Sequence, residues 1–200
     1  MSSIKLPHSS GNSVSIAAPQ SNPASDRTLY LPSNADGTVL TTTYAKAGNI
    51  IQVVNVVYSG SSSFTTSGST FQDTGLTASI TPSSSSNKIL VMYQLECAAE
   101  TSYRHACRLV RGSTDILLAD SAGSRIRASN NNGNPPNNVR MSSLSNIYLD
   151  SPNTTSSTTY KLMGWAESGG DFFTNRSEVN SDSASHARGV STMTLMEVAA

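Results

Sequence analysis

The stretch Ile50-Ile51-Gln52-Val53-Val54-Asn55-Val56-Val57-Tyr58 decides which fold class we expect for this chain. Isoleucine and valine dominate it, and a tyrosine closes it. Such side chains fit the pleated surface of a β-strand better than the surface of a helix. Similar runs recur at short intervals, and none of them has helical periodicity. The sequence therefore predicts an all-β protein whose main body is an antiparallel β-sandwich of the jelly-roll kind.

The predicted strands of this body are separated by turns rich in glycine, serine, asparagine and proline. The last run is so apolar that we expect it inside a sheet and not at an edge. The segment Asn130–Asn138 combines prolines, a glycine and many asparagines, and it predicts an exposed loop. The predicted strands are Ile50–Tyr58, Phe64–Thr66, Thr70–Asp73, Leu76–Thr81, Lys88–Ala98, Arg104–Arg111, Ile116–Ala119, Ser124–Ala128, Val139–Leu149, Thr158–Ala166, Phe172–Asn175 and Val190–Val198.

The charge of the chain excludes some classes of partner. Charged residues make up 13% of the 200 residues, against about 25% in an average soluble domain. The 13 basic and 13 acidic residues cancel, so no basic field exists to attract nucleic acid. No apolar run approaches the roughly 18 residues of a membrane span. The segment Met1–Lys5 lacks the features of a signal peptide, which predicts assembly in a cytoplasm.

The two cysteines, Cys97 and Cys107, lie on neighbouring predicted strands. If residues 88–98 and 103–111 form a hairpin, the two thiols face each other and a cross-strand disulfide is geometrically conceivable. The alternative, which we favour for a cytoplasmic protein, is a pair of buried free thiols. Two cysteines alone supply too few ligands for a metal site.

No catalytic motif stands out in the sequence. The three histidines, His8, His105 and His186, are isolated, and we expect His105 on the surface of its strand. The scattered Asp and Glu residues match no calcium-loop spacing, which favours solvated turns over a calcium site. We therefore expect neither an enzyme nor a protein that needs a cofactor or a metal.

The first 46 residues differ from the rest. They contain short bursts of alternating apolar residues, with strand candidates at Ser13–Ala18 and Thr28–Pro32, but too few apolar residues to bury a core alone. The sequence thus predicts an extended arm over residues 1–46 that is ordered by something else, and a head over residues 47–200.

Aromatic residues near loops are the best candidates for recognition by the head. An aromatic ring stacks on a sugar ring while nearby amides and carboxylates bind its hydroxyls. The alternative is that Trp165 and one of the two phenylalanines at 172 and 173 fill the core, or an interface between identical subunits. The candidates in the two segments Asn130–Asn138 and Glu167–Asp171 and beside them are Asn131, Asn134, Asn137, Trp165, Asp171 and Phe172.

Eight blocks of the sequence have a distinctive order and spacing. In the arm they are Lys5–Val14, Pro19–Pro23, Leu31–Pro32 and Ala35–Thr38, and in the head they are Leu76–Val91, Arg108–Thr114, Ile147–Pro152 and Thr192–Val198. With these blocks, most of the chain resembles the virion proteins of tailed bacteriophages, above all the fibre and appendage proteins of marine phages.

The resemblance implies a virion structural protein that forms a homotrimer and attaches through residues 1–46 to another virion protein, in the tail, an adaptor or the capsid. Ile4, Leu6, Val14 and Ile16 are the expected anchors, since an arm strand can join the edge of a neighbour's sheet. Relatives carry long stalks, whereas only about a dozen residues separate Gly37 from the strand at Ile50. This chain is therefore expected to form a short fibre or knob.

Three functions follow from these expectations. The first is a short fibre or spike whose head loops bind a host-surface glycan. The second is a capsid decoration or head-fibre protein without a receptor role. The third is a polysaccharide depolymerase, which requires a pair of carboxylates about 5–10 Å apart in a groove.

Overall fold

A computed structural model of the chain describes residues 3–7, 13–17, 46–133, 137–167 and 169–200. Within these residues the protein is all-β and contains no helix, as predicted. The chain divides into two compact units, Met1–Val39 and Leu40–Ala200. The predicted strand Thr28–Pro32 lies outside the described residues.

The N-terminal unit contains a two-stranded antiparallel sheet. Its strands are β1 (Ser3–Pro7) and β2 (Ser13–Ala17). The prediction of a strand at Ser13–Ala18 is confirmed to within one residue, whereas β1 was not among the predicted strands.

The described residues of the larger unit form eleven strands in two sheets. In chain order they are β3 (Ile50–Tyr58), β4 (Ser62–Thr65), β5 (Gln72–Ile80), β6 (Lys88–Ala99), β7 (His105–Arg111), β8 (Thr114–Ile116), β9 (Asn130–Asn132), β10 (Ser142–Asp150), β11 (Thr158–Ala166), β12 (Asp171–Thr174) and β13 (Ser191–Val198).

The larger sheet is organised around β6, the longest strand. On one side β6 pairs with β13 over its first half and with β12 at its end. Strand β10 pairs with the same residues of β6 and must therefore lie on the opposite side. Strand β13 lies between β3 and β6, which confirms that the apolar C-terminal strand is internal.

The smaller sheet has the order β5-β11-β7-β8, and β9 also pairs with β7. Strand β11 occupies one side of β7 along its whole length, so β8 and β9 follow one another along the other side. Every strand pair in both sheets is antiparallel.

The hairpin between residues 88–98 and 103–111, on which the possible disulfide depended, does not form. Strand β6 belongs to the larger sheet and β7 to the smaller one, so the chain crosses between sheets at residues 100–104. The two cysteines consequently point into the core from different sheets. Cys97 and Cys107 are both buried and both free, which confirms the alternative of two buried thiols.

The core lies between the inner faces of the two sheets. Alternate residues of the long strands are fully buried, as the patterns of β5, β6 and β13 show. Each such Leu, Ile or Val contributes about 1.5–3 kcal/mol by leaving water. The largest of these side chains are Leu76, Ile89, Leu95, Leu109, Tyr160, Leu162, Phe172, Met193 and Leu195.

Several predicted strand boundaries need correction. Thr70–Asp73 and Leu76–Thr81 are parts of one strand, Gln72–Ile80, and Ser124–Ala128 is not a strand. Conversely, Asn130–Asn132 was expected in a loop but forms β9, because the edge of β7 beyond β8 offers it backbone hydrogen-bond partners. An edge position of this kind is set by the neighbouring strand and not by local propensity.

Candidate functional site

A row of three residues crosses the outer face of the smaller sheet. Trp165 on β11 lies directly opposite Ala106 on β7, and Ala106 lies directly opposite Asn131 on β9. Residues opposite each other in an antiparallel ladder share a face. Because the neighbouring Ala166 faces the core, Trp165 faces outward. The small methyl group of Ala106 thus forms a floor between an indole and an amide.

The indole of Trp165 is held in one orientation. Its Nε1 donates a hydrogen bond of 2.7 Å to the carbonyl oxygen of Gly68. Its ring stacks on the ring of Phe71, with 6.2 Å between the two centroids. The guanidinium of Arg108 in turn lies 3.9 Å from the centroid of Phe71. Gly68 has φ +57°, a conformation that glycine adopts without strain. The ring is therefore positioned before any ligand arrives.

The segment between β8 and β9 forms the opposite wall, and it is anchored to the sheet. Arg127 Nε donates to the carbonyl of Ala119 at 2.7 Å, and Arg108 Nε donates to the carbonyl of Arg127 at 2.8 Å. The hydroxyl of Ser129 accepts from the backbone N–H of Leu109 at 2.9 Å. These bonds fix the part of the segment that carries Ser124, Arg125 and Ile126.

Together these elements enclose a cavity of about 610 Å³, a size that suits a small ligand. Its charged side chains are Arg104, Arg125 and Glu167. Arg104 Nη1 lies 3.5 Å from Glu167 Oε1, and both side chains are largely exposed, so this ion pair contributes little to stability. Two guanidinium groups against one carboxylate leave the cavity with a net positive charge.

The structure brings together two of the six residues predicted for recognition, since Asn131 and Trp165 both line this cavity. Asn134 lies outside the described residues. Asn137 is exposed elsewhere and accepts a hydrogen bond from the backbone of Val139.

The remaining two predicted residues lie on strand β12. Asp171 accepts a hydrogen bond from the hydroxyl of Thr65. Phe172 is fully buried and stacks on Phe64 with 5.2 Å between centroids. Its prediction as a recognition residue was therefore wrong, and the alternative that one phenylalanine fills the core is confirmed for Phe172. Trp165 is buried as well, with 8% of its surface exposed, although it packs on Phe71 and lies outside the main core cluster.

Sequence reasoning missed Arg104, Ala106 and Arg125, which line the same cavity. These residues carry no local signal, because only the pairing of β7 with β9 and β11 brings them beside Trp165. The preference for Trp and Asn near loops was the one signal in the sequence that pointed here.

His105 is buried, not on the strand surface as we expected. It is 1% exposed, and neither ring nitrogen has a hydrogen-bond partner among the described residues. Its ring instead lies edge-on to Phe172, with 6.3 Å between centroids. Burial lowers the pKa of His105 from 6.5 to about 4, so the imidazole is neutral at pH 7.

The N-terminal hairpin pairs the four predicted anchors with one another. Ile4 lies directly opposite Ile16, and Leu6 lies directly opposite Val14. These two pairs alternate in the register with the pair Lys5 and Ser15.

The outer face of the larger sheet is also apolar. The strand register forms a row in which Val53, Met196, Leu90 and Leu149 follow one another across β3, β13, β6 and β10. Ile147, in the adjacent row, is 60% exposed, and Val53 is 55% exposed. Contiguous exposed apolar surface of this kind is typical of interaction sites.

The comparisons with known proteins leave the family open. No model of a protein family matches the chain, and no curated protein matches it either. No helix of the described residues is long and apolar enough to span a membrane. The same residues contain no group of three or more His, Cys, Asp or Glu side chains suited to a metal ion.

Proposed function

We propose that this chain is a structural protein of a tailed-phage virion, a short trimeric fibre or spike that is attached to the particle by its N-terminal arm. The observation that carries the proposal is the pairing of Ile4 with Ile16 and of Leu6 with Val14 in a small hairpin. The resemblance of the arm and head blocks to phage appendage proteins supports the same function.

The hairpin has two strands of five residues each. A two-stranded sheet is at best marginally stable in water, and it needs a packing partner for its apolar face. We infer from the register and the alternation of a strand that the four apolar residues share one face of the hairpin, and that a partner covers this face. An attachment arm that inserts into, or packs on, another virion protein supplies this partner.

The apolar outer face of the larger sheet supports trimer formation. Its central strand is β6, and its exposed residues include Val53 on β3 and Ile147 on β10. The Phe172 ring, by contrast, is fully buried in the core and cannot contribute to an interface between copies. Three copies that meet on this face bury apolar surface that one copy leaves in water.

The proposed protein is not an enzyme. Its head contacts a host glycan without cleaving it. A glycosidase needs two carboxylates at its site, but Glu167 is the one carboxylate among the described residues lining the cavity beside Trp165. The depolymerase alternative therefore has no site in this cavity.

Light scattering after size exclusion tests the oligomeric state of the full-length chain. We expect a mass of three times the 21.0 kDa of one chain. A monomer overturns the self-trimerising fibre and favours a decoration protein that is ordered only by the particle it coats.

Attachment is tested in the phage that encodes the chain. A Leu6→Asp and Val14→Asp double variant places charge on the apolar face of the hairpin, and we expect purified particles to lose the protein. The matched control, Lys5→Ala with Ser15→Ala, changes the other face and is expected to leave incorporation intact. Retention of the Asp variant on particles overturns attachment through this face.

A further inference from the structure

We infer that the cavity beside Trp165 binds a saccharide that carries a carboxylate group. This inference rests on the proposed function, because it names the class of host-surface molecule that the head recognises. Its evidence is the geometry of the cavity on the outer face of the smaller sheet.

Residues from three neighbouring strands give the site its shape. Trp165 and Asn131 stand on either side of Ala106 in one row across three strands. A larger residue at position 106 would fill the space between them, whereas alanine leaves a floor on which a flat ring can rest. Trp165 is 8% exposed, and the accessible part of its ring lines this space together with Ile126, where both offer apolar surface to the C–H face of a sugar.

Both walls of the cavity are held in place by contacts within the protein. The Nε1 of Trp165 is bonded to Gly68 and its ring stacks on Phe71. The segment that carries Arg125 is held by the bonds of Arg127 and Ser129. Because both walls are fixed before binding, little free energy is spent on ordering the protein when a ligand binds.

The described lining of the cavity carries a net positive charge. Arg104 and Arg125 bring two guanidinium groups to a cavity with a single carboxylate, Glu167, in a chain whose net charge is zero. A guanidinium matches a carboxylate in planar, bidentate geometry. Arg104 Nη1 lies 3.5 Å from Glu167 Oε1, and the Arg104 side chain is exposed. The ion pair is therefore weak, and Arg104 is available to a ligand. The site favours an acidic saccharide over a neutral one.

The amide of Asn131 and the carboxylate of Glu167 complete the site as partners for hydroxyl groups. The site thus combines an aromatic platform, two cations and two hydroxyl-binding groups. A phosphate alone would use the cations but not the platform, so we commit to a sugar.

The test is calorimetric titration of the full-length protein with tetragalacturonate and with its fully methyl-esterified form, followed by an array of uronate-containing, sialate-containing and neutral glycans. We expect at least one carboxylated glycan to bind. Its uncharged counterpart should bind about tenfold more weakly or worse, because a charged hydrogen bond is lost. Added salt should weaken the binding of the charged form selectively.

Two variants locate the site. Arg125→Ala removes an exposed cation, and we expect affinity for the acidic glycan to fall by about tenfold or more. Ala106→Leu fills the floor and should abolish binding of every glycan. Arg140→Ala is the matched control, since Arg140 is exposed and lies outside the cavity, and it should bind like the unmodified protein.

Three results overturn the inference: no glycan on the array binds, neutral glycans bind as well as acidic ones, or Arg125→Ala and Ala106→Leu leave binding unchanged. The light-scattering mass and the incorporation into particles are measured on the same variants. If glycan binding fails while trimers and particle incorporation persist, only this inference fails. If an acidic glycan binds a protein that neither trimerises nor joins a particle, the proposed function fails instead.

Discussion

The carboxylate of Glu197 accepts two hydrogen bonds from Ser83, one from its backbone N–H and one from its hydroxyl, each 2.7 Å long. Asn87 Nδ2 donates to the same oxygen at 2.6 Å, and Gln52 Nε2 donates to the other oxygen. Glu197 is fully buried on β13. One carboxylate thus joins the last strand, the turn before β6 and the first strand of the head.

Replacing Glu197 by Gln should destabilise the head. The amide keeps one acceptor but turns its NH₂ group toward donors that then lack a partner, which costs about 1–3 kcal/mol. Urea unfolding measures this loss, with Asp120→Asn as a control that removes an exposed carboxylate. Equal stability of the two variants would mean that the hydrogen bonds to Glu197 contribute nothing.

The same variant should change the acid stability. Burial raises the pKa of Glu197, but the hydrogen bonds from Asn87, Gln52 and Ser83 outweigh burial, so that the pKa is lower than usual. As the pH falls below about 4.3, the unfolded chain takes up this proton first, and stability decreases. Glu197→Gln should lose less stability than the unmodified protein over that range.

A second buried network crosses between the sheets at Asp150, and it predicts energetic coupling. Tyr160 on β11 donates its hydroxyl to Asp150 Oδ2 on β10 at 2.7 Å, while Arg111 Nη1 on β7 lies 2.8 Å from both carboxylate oxygens. Tyr160→Phe removes one of these bonds and should cost about 1–2 kcal/mol.

A double-mutant cycle checks the coupling between Tyr160 and Asp150. If their hydrogen bond stabilises the head, Tyr160→Phe should cost less in the presence of Asp150→Asn than alone, with a coupling of about 0.5–3 kcal/mol. Chemical unfolding of the four proteins gives this number. Strict additivity would show that the contact has no energetic weight.

His105 predicts a separate pH dependence of stability. Its pKa is about 4 in the folded head because of burial, against 6.5 for an ordinary histidine. Between these values the unfolded chain binds the proton and the folded chain does not. Stability should therefore be complete above pH 6.5 and fall by about 1.4 kcal/mol for each pH unit below it.

The check is the free energy of unfolding at pH 7, 6 and 5, above the acid range in which Glu197 titrates. His105→Leu should flatten the slope in this window, because no titrating group remains at the position. His186→Gln changes a histidine that is more accessible than His105 and should keep the slope. An unchanged slope in His105→Leu would assign the acid sensitivity to another group.

The apolar face of the larger sheet predicts the effect of one exposed charge on assembly. Ile147 is 60% exposed on β10, so Ile147→Glu should leave the fold of one chain intact. If three copies meet on this face, the variant buries an unpaired carboxylate in the interface and weakens association by about tenfold or more. Sedimentation across a concentration series measures the shift toward monomer.

The control for this experiment is Ser113→Glu, a new carboxylate in the exposed turn between β7 and β8. It should assemble like the unmodified protein. Trimers of undiminished stability in Ile147→Glu would move the interface to another surface.

The sequence by itself determined the strands with the strongest local patterns. Ile50–Tyr58 and Thr158–Ala166 were predicted with the bounds that the structure has, because β-branched and aromatic residues, which favour strands, are concentrated in both. The internal position of the C-terminal strand also followed from composition, since a strand this apolar is stable only with neighbours on both sides. Trp165 and Asn131 were found for a similar reason, as residue types suited to recognition that lie next to predicted loops.

Only the tertiary structure decided which strands pair and which side chains reach the surface. Strands β6 and β7 follow each other in the chain but join different sheets, because pairing depends on contacts between segments that are far apart in sequence. For the same reason Phe172 and His105 turned out to be buried, and Asn130–Asn132 became a strand on the free edge of β7. The cavity beside Trp165 exists because three separate strands place their residues in one row, a relationship that no local pattern encodes.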